Sequence, residues 1–361
     1  MKHALRYGVI GTGMMGVEHI ANLLALPGAE VTAISDPHPE SRDWAQLAVG
    51  LDQPLARFES HADLLASGLC DALVIASPNH THHDVLLDVL RTPHHVMIEK
   101  PLCTTIEDCR SVVVAVEESS RWHKERVVWM GLEYRYMPPT TAVLGELAAG
   151  TIGTPRMVAI REHRFPFLPK VGNWNRFNRN TGGTLVEKCC HFFDLMNLIV
   201  GRPALRVFAS GAQSVNHLDE RYDGEVPDII DNAYVVVEYD GGARAMLDLC
   251  MFAEASRNEQ EISVVGELGK IEALVTEGVM RVGVRADGIG RVTERAIHDE
   301  SIRHVGYHHG ASYLEHVGFR RAIVDGTPAE VTVADGLASV AVGVAAHRSI
   351  AEGRWVSLDE F

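Results

Sequence analysis

Gly11-Thr12-Gly13-Met14-Met15-Gly16 follows the β-rich run Tyr7-Gly8-Val9-Ile10 and leads into a segment with apolar residues at helical spacing. A G-x-G-x-x-G run between a strand and a helix permits few folds. Gly11 allows the tight turn, Gly13 lets a pyrophosphate approach the backbone, and Gly16 lets the helix lie close on the sheet. The first N–H groups of that helix stay available as donors to an anion. Asp36 closes the next β-rich run, Val31-Thr32-Ala33-Ile34-Ser35. A carboxylate at that spacing accepts both ribose hydroxyls of an adenosine and repels a 2′-phosphate, so the expected cofactor is NAD rather than NADP. Gly11, Gly13, Met14, Met15, Gly16 and Asp36 are the expected first part of its site.

Up to about residue 135, β-rich runs at 6–10, 30–35, 72–76, 95–98 and 126–131 alternate with helical spacing at 18–26, 39–48 and 82–90. That alternation is the mark of a doubly wound parallel sheet. Beyond residue 155 longer strands take over, at 156–164, 205–214, 233–239, 244–252 and 261–265, with Asp240-Gly241-Gly242 as a hairpin turn. A helix over 333–352 closes the chain. The fold class is therefore α/β, with an N-terminal Rossmann domain over 1–135. An α+β domain with an open, mostly antiparallel sheet follows over 136–361, for substrate binding and oligomerisation.

Lys and Arg number 33 against 48 Asp and Glu, a formal charge of −15, which argues against nucleic acid or an anionic membrane as partner. Hydrophobic residues make up 46%, enough to fold the chain throughout. No apolar run approaches the ~18 residues of a membrane span. Met1-Lys2-His3 reads as the lead into a first strand, not as a signal peptide. Cysteines 70, 103, 109, 189, 190 and 250 form no C-x-x-C pair, which fits a reducing cytoplasm.

Ser77-Pro78-Asn79-His80-Thr81-His82 and Ile98-Glu99-Lys100-Pro101-Leu102 resemble the T-P-N-x-x-H and E-K-P signatures of one family. It is the glucose-fructose oxidoreductase, inositol dehydrogenase and rhizopine catabolism (Gfo/Idh/MocA) family. With the glycine loop in front, the resemblance covers the first domain, and it continues more weakly to the C-terminus. It implies a Rossmann domain, a C-terminal α/β domain with an open antiparallel sheet, and a sugar or cyclitol substrate between them. Ser77, Pro78, Asn79, His82, Glu99 and Lys100 are then expected at the cofactor. The family's E-K-P lysine lies beside the nicotinamide, which makes Lys100 the first expected catalytic residue. An ammonium there can hydrogen-bond a substrate hydroxyl and stabilise the alkoxide that develops as hydride leaves.

After Gly182-Gly183 the family has D-x-x-x-H within a helix, and this chain has Glu187 and His191. On one helix the two share a face. His191, with an ordinary pKa of about 6.5, is the natural proton acceptor for an alcohol, and Glu187 would orient it or the substrate. The glutamate and the adjacent Lys188 depart from the family pattern. Glu187, His191 and Asp194 could instead bind a metal, but Lys100 and Lys188 would repel a cation, so no metal is expected. Cys189 and Cys190 read as helix-packing residues.

Residues 161–179 hold five cations, Arg161, Arg164, Lys170, Arg176 and Arg179, against Glu162 alone, together with Trp174 and Asn175. The segment is either a sugar-binding loop with an anionic recognition point or a solvated loop balancing acidic neighbours. Expected substrate contacts are Arg164, Lys170, Trp174, Asn175, Arg176, Lys188, His191 and Tyr313. The polar cluster Tyr307, His308, His309, Tyr313 and Glu315 is a weaker candidate to complete the pocket. The leading function is an NAD-dependent dehydrogenase of a sugar or cyclitol hydroxyl. The alternatives are a redox-neutral NAD-dependent glycosidase acting on an anionic glycoside such as a sulfoquinovoside, and a silent nicotinamide-sensing regulator. The expected partners are a small carbohydrate and, through the open sheet face, further copies of the chain in a dimer or tetramer.

Overall fold

The computed structural model describes residues 4–361, so the lead-in Met1-Lys2-His3 lies outside the described residues. The chain forms two compact units. The first takes the residues up to 133 together with 170–174 and 301–337. The second takes 134–169, 175–300 and 338–361, so no single cut near residue 135 separates them.

In the first unit, β1 (Leu5–Ile10), α1 (Met14–Ala25), β2 (Ala29–Ser35), α2 (Pro39–Val49), β3 (Ala56–Phe58) and α3 (His61–Ala66) come first. β4 (Ala72–Ile75), α4 (His82–Leu90), β5 (His95–Glu99), α5 (Ile106–Ser119) and β6 (Val128–Gly131) complete the alternation. The six strands run parallel in the order β3-β2-β1-β4-β5-β6. Ala72, Leu73, Val74 and Ile75 are all fully buried, as a central strand covered on both faces requires. Chain order places the turns after β1, β2, β4 and β5 along the carboxyl edge of this sheet, where open α/β folds bind ligands.

The second unit contains α6 (Pro138–Ala148), β7 (Pro155–His163), α7 (Asn178–Thr181), α8 (Thr184–Glu187), α9 (Cys190–Val200), β8 (Ala204–Ala212), β9 (Asn232–Tyr239) and β10 (Arg244–Cys250). β11 (Gln260–Gly266), β12 (Gly269–Leu274), β13 (Val279–Val284) and β14 (Thr293–Ala296) extend its sheet. α10 (Ala311–Asp325) returns to the first unit, α11 (Val333–Glu352) begins there and ends in the second, and β15 (Val356–Ser357) is the sheet's last edge. The order is β14-β13-β12-β11-β7-β10-β9-β8-β15, antiparallel at every described pairing except β7 with β10. One face is apolar and buried, through Ile160, Val235, Val237, Leu247 and Leu249. On the other, Phe208, Val236, Met246 and Ala159 stand in register, and Tyr234 and Met157 are 63% and 60% exposed.

Within the first unit α10 supplies apolar cover that no local signal announces. Phe319 meets Tyr7 at 6.3 Å and Trp129 at 6.1 Å between ring centres. Gly318 permits this approach, since a Cβ there would stand 3.1 Å from the Trp129 ring.

Candidate functional site

The glycine loop is built as its spacing requires. Gly11 has φ +86°, and a Cβ on it would lie 2.6 Å from the main chain of Ser77. A Cβ on Gly16 would lie 2.0 Å from the carbonyl oxygen of Gly11, so the turn and the first helical turn touch backbone to backbone. At Gly13 an added Cβ would meet nothing within 4 Å, leaving the loop open on the side a phosphate approaches. Asp36 accepts the N–H of Thr12 at 2.8 Å and that of His38 at 2.9 Å through different oxygens. Each oxygen retains a lone pair for a ribose hydroxyl. Thr12 Oγ1 and Asn79 Nδ2 are buried without a hydrogen-bond partner among the described residues. Open space at Gly13, orphaned groups at Thr12 and Asn79, the N-terminus of α1 and the Asp36 carboxylate together fit a dinucleotide. Met14 and Met15 lie half-buried in the first turn of α1.

His82 and Glu99, expected at the cofactor, are both buried and hydrogen-bonded within the first unit. His82 is fully buried, with Nδ1 2.7 Å from the Pro101 carbonyl and Nε2 3.0 Å from that of Ser77. Burial holds its pKa below the ordinary value, against the pull of both carbonyls. It braces the Ser77-Pro78 turn, where Thr81 Oγ1 also lies 2.7 Å from Ser77 Oγ, against the turn after β5. Glu99 is spent on His19 at 2.9 Å and on the main-chain N–H of Lys100 at 3.0 Å. Lys100 itself, at the end of β5, is half-buried. In the same unit Trp174 lies edge-on to His80 at 6.2 Å, and Lys170 is half-buried. Tyr313 is buried on α10, and Glu315 accepts Trp129 Nε1–H at 3.3 Å.

In the second unit, Gly182 and Gly183 have φ +78° and +89°. A Cβ on Gly183 would sit 2.3 Å from His347 Nε2, which accepts the N–H of Leu185 at 3.1 Å. The single helix expected to carry both Glu187 and His191 is interrupted. The N–H of Cys189 reaches back to Thr184 at 3.4 Å, five residues instead of four, and this wider turn separates α8 from α9. Glu187 ends α8 and His191 is the second residue of α9, both buried.

The His191 ring lies flat on Tyr134, 3.9 Å between centres and 6° between planes. Lys188 Nζ donates to Tyr134 OH at 2.5 Å and pairs with Glu162 at 3.0 Å. Arg164 stands 3.6 Å from the same Glu162 oxygen. Burial pushes the Lys188 pKa down and the Arg164 charge adds to that, while Glu162 opposes it. Asp194, the third group of the metal alternative, is held by Arg135 through bonds of 2.7 and 2.5 Å. Tyr134 and Arg135 escaped the sequence reading, although Leu132-Glu133-Tyr134-Arg135 directly follows β6 and was legible as a polar, aromatic turn, and Glu162 was counted only as the one acid of the basic segment.

The basic segment is balanced from within. Arg161 pairs with Glu261, Arg176 with Glu220 at 2.9 Å, and Arg179 with Glu225 at 2.5 Å. Asn175 is fully buried and donates to the Leu168 carbonyl at 3.0 Å. The acids that neutralise these cations lie 44 to 100 residues away in sequence, where a local charge count cannot find them. Of the arginines expected to touch substrate, Arg176 is committed to an internal ion pair, while Arg164 is shared between Glu162 and the face of Phe165, 4.2 Å away. Cys189 and Cys190 are fully buried, as packing residues are.

The family described as "Oxidoreductase family, NAD-binding Rossmann fold" matches residues 5–124, and "Oxidoreductase family, C-terminal alpha/beta domain" matches residues 145–358. Over 360 residues the chain is 27% identical to a myo-inositol 2-dehydrogenase of Thermotoga maritima, covering 99% of each protein. It is 26% identical to the scyllo-inositol 2-dehydrogenase (NAD(+)) of Bacillus subtilis, covering 99% of this chain and 98% of that one. Its fold is similar to that of a levoglucosan dehydrogenase solved with NADH and levoglucosan, with a TM-score of 0.84 at 20% identity, covering 98% and 99% of the two chains.

Proposed function

Since the chain belongs to the Gfo/Idh/MocA oxidoreductase family, matching both its NAD-binding Rossmann domain and its C-terminal domain, we propose that it oxidises a secondary hydroxyl of a neutral cyclitol or sugar. The observation that carries this reading is the setting of His191, an imidazole whose ring is stacked flat on Tyr134, the hydroxyl of which in turn accepts from Lys188. The flat stack leaves the ring nitrogens to point along its plane, where an imidazole nitrogen can accept a hydroxyl proton. His191 takes the hydroxyl proton, Glu187 orients the substrate, and the Lys100 ammonium stabilises the developing alkoxide. The loop of Gly11, Gly13 and Gly16, with Asp36 and Asn79, would hold NAD, which when bound supplies the acceptor for the hydride.

A neutral substrate is favoured because Arg161, Arg176 and Arg179 already have carboxylate partners. That weighs against an anionic glycoside and, with it, against the glycosidase reading. Homo-oligomerisation is supported by the outer face of the second sheet, where Phe208, Met246, Tyr234 and Met157 are at least 36% exposed. Incubation with NAD and a panel of inositols, aldoses and aryl glycosides, following NADH absorbance and aglycone release together, tests the reading. Stoichiometric NADH with an inositol or free sugar is expected. Aglycone release without NADH accumulation would overturn it.

A further inference from the structure

Glu99 precedes the proposed catalytic lysine on β5, and His19 follows the glycine loop on α1. They are 5% and 1% exposed, and His19 Nε2 meets Glu99 Oε1 at 2.9 Å. The other ring nitrogen, His19 Nδ1, meets Nε2 of His316 on α10 at 2.8 Å, with His316 completely buried. Glu99 Oε2 accepts the main-chain N–H of Lys100 at 3.0 Å. One hydrogen-bonded line thus runs from α10 through α1 to the main chain of Lys100.

Geometry alone allows His19 to be neutral or doubly protonated, because His316 could donate or accept. The charges around it decide. Burial works against a cation, but the hydrogen bond and charge of Glu99, with Glu133 and Glu18 behind it, hold the His19 pKa above its ordinary value. Burial and the His19 charge hold His316 well below its own, opposed by Glu133. Burial and Glu133 would raise the Glu99 carboxyl, but His19 and, more weakly, Lys100 keep it below the usual carboxylate range. Those directions, with the 2.9 Å contact to Glu99 and the 2.8 Å contact to His316, favour His19 as the donor at both nitrogens, His316 as the neutral acceptor and Glu99 as an anion.

We propose that His19 is a positioning residue for Lys100: as the buried counter-ion of Glu99, it prevents that carboxylate from capturing the neighbouring ammonium and holds the carboxylate where it fixes the lysine's main chain. The inference rests on the reading of Lys100 as the group that meets the substrate oxygen. Without the His19 charge, the Glu99 anion has Lys100 as its adjacent cation. An opposite charge close by favours the protonated, unreactive form of an amine. The lysine after β5 is thereby set by a residue on α1, the helix that follows the glycine loop.

The test needs no substrate. Acylation of Lys100 by acetic anhydride at about pH 8 is read by peptide mass spectrometry on the full chain, relative to the exposed Lys124. His19→Gln is expected to slow Lys100 labelling by about tenfold or more. His19→Gln combined with Glu99→Gln is expected to return it to within about threefold of wild type, because the orphaned charge is gone. Unchanged labelling in the single variant, or a double variant as slow as the single, would overturn the proposal. Should His19→Gln not fold by circular dichroism, Glu99→Gln alone decides. With the carboxylate gone, burial leaves His19 neutral and no charge remains beside the lysine, so labelling is expected to stay within about threefold of wild type, and a slowing of about tenfold or more refutes the idea. Turnover of Lys100→Ala is read separately. Wild-type turnover there removes the lysine from catalysis without touching the labelling result, while loss of turnover with unchanged labelling in His19→Gln removes only His19.

Discussion

Arg135→Ala is the sharpest perturbation of the helix that carries His191. Arg135 grips Asp194, three residues beyond His191 on α9, through Nε–Oδ2 at 2.7 Å and Nη2–Oδ1 at 2.5 Å. Two magnitudes compete. An exposed ion pair contributes about 0–1 kcal/mol, whereas a buried carboxylate stripped of its partner costs about 3–5 kcal/mol. The Asp194 side chain is 2% exposed and that of Arg135 11%, so the larger figure applies. For a unit of roughly 150–250 residues each kcal/mol moves the melting temperature by about 2–4 °C, giving a fall of about 6–20 °C. Differential scanning calorimetry at neutral pH reads it. Asp194→Leu combined with Arg135→Met should recover most of the loss, because a buried pair replaced by apolar residues leaves no orphaned charge. Turnover below the melting range should fall while NADH binding, measured by fluorescence, stays near wild type, since the dinucleotide loop belongs to the other unit. Melting of Arg135→Ala within about 2 °C of wild type would refute the reasoning.

Asp36→Ala should weaken NADH binding by about tenfold or more and narrow the preference over NADPH, through loss of the ribose acceptor and of the bonds from Thr12 and His38. Equal binding of the two dinucleotides by wild type would refute that role. Lys100→Ala and His191→Ala should each lower turnover about a hundredfold or more with NADH affinity largely kept, and wild-type turnover in either clears that residue. Burial pushes His347 from 6.5 down to about 4, although the Gly183 backbone opposes the shift. Its neutral form supports the fold fully above about 6.5, and that support is lost as the pH falls toward 4, because the unfolded chain takes up the proton first. The loss is about 3 kcal/mol on the order-of-magnitude scale of linkage. Urea titrations at neutral pH and near pH 4 should show this dependence reduced in His347→Gln; an unchanged dependence would dismiss His347 as its source.

Much of the first unit was legible. α4 (His82–Leu90) and α11 (Val333–Glu352) run over the expected spans, and the five expected parallel strands are present. β3 (Ala56–Phe58) was not expected, because three residues are too short to show alternation. β12, β13 and β14 were passed over as well, amid glycines and charges that mask the alternating burial of an edge region. At the candidate site, the residue types at Glu187 and His191 were readable but the helix between them was not unbroken. Helical spacing cannot reveal that one N–H reaches back five residues instead of four.

The glycine loop, the carboxylate at Asp36 and the Glu99-Lys100-Pro101 turn were determined locally. Each is a demand on backbone conformation or on chemistry within a few residues, and only certain residue types meet it. Tertiary structure alone decided which charges are spent and which serve the site. Arg176 found Glu220, Asp194 found Arg135, Lys188 found Glu162, and His19 found both Glu99 and His316. These partners are 26 to 297 residues apart in the chain, and a charge buried on folding must take whichever partner the topology delivers, at any sequence distance.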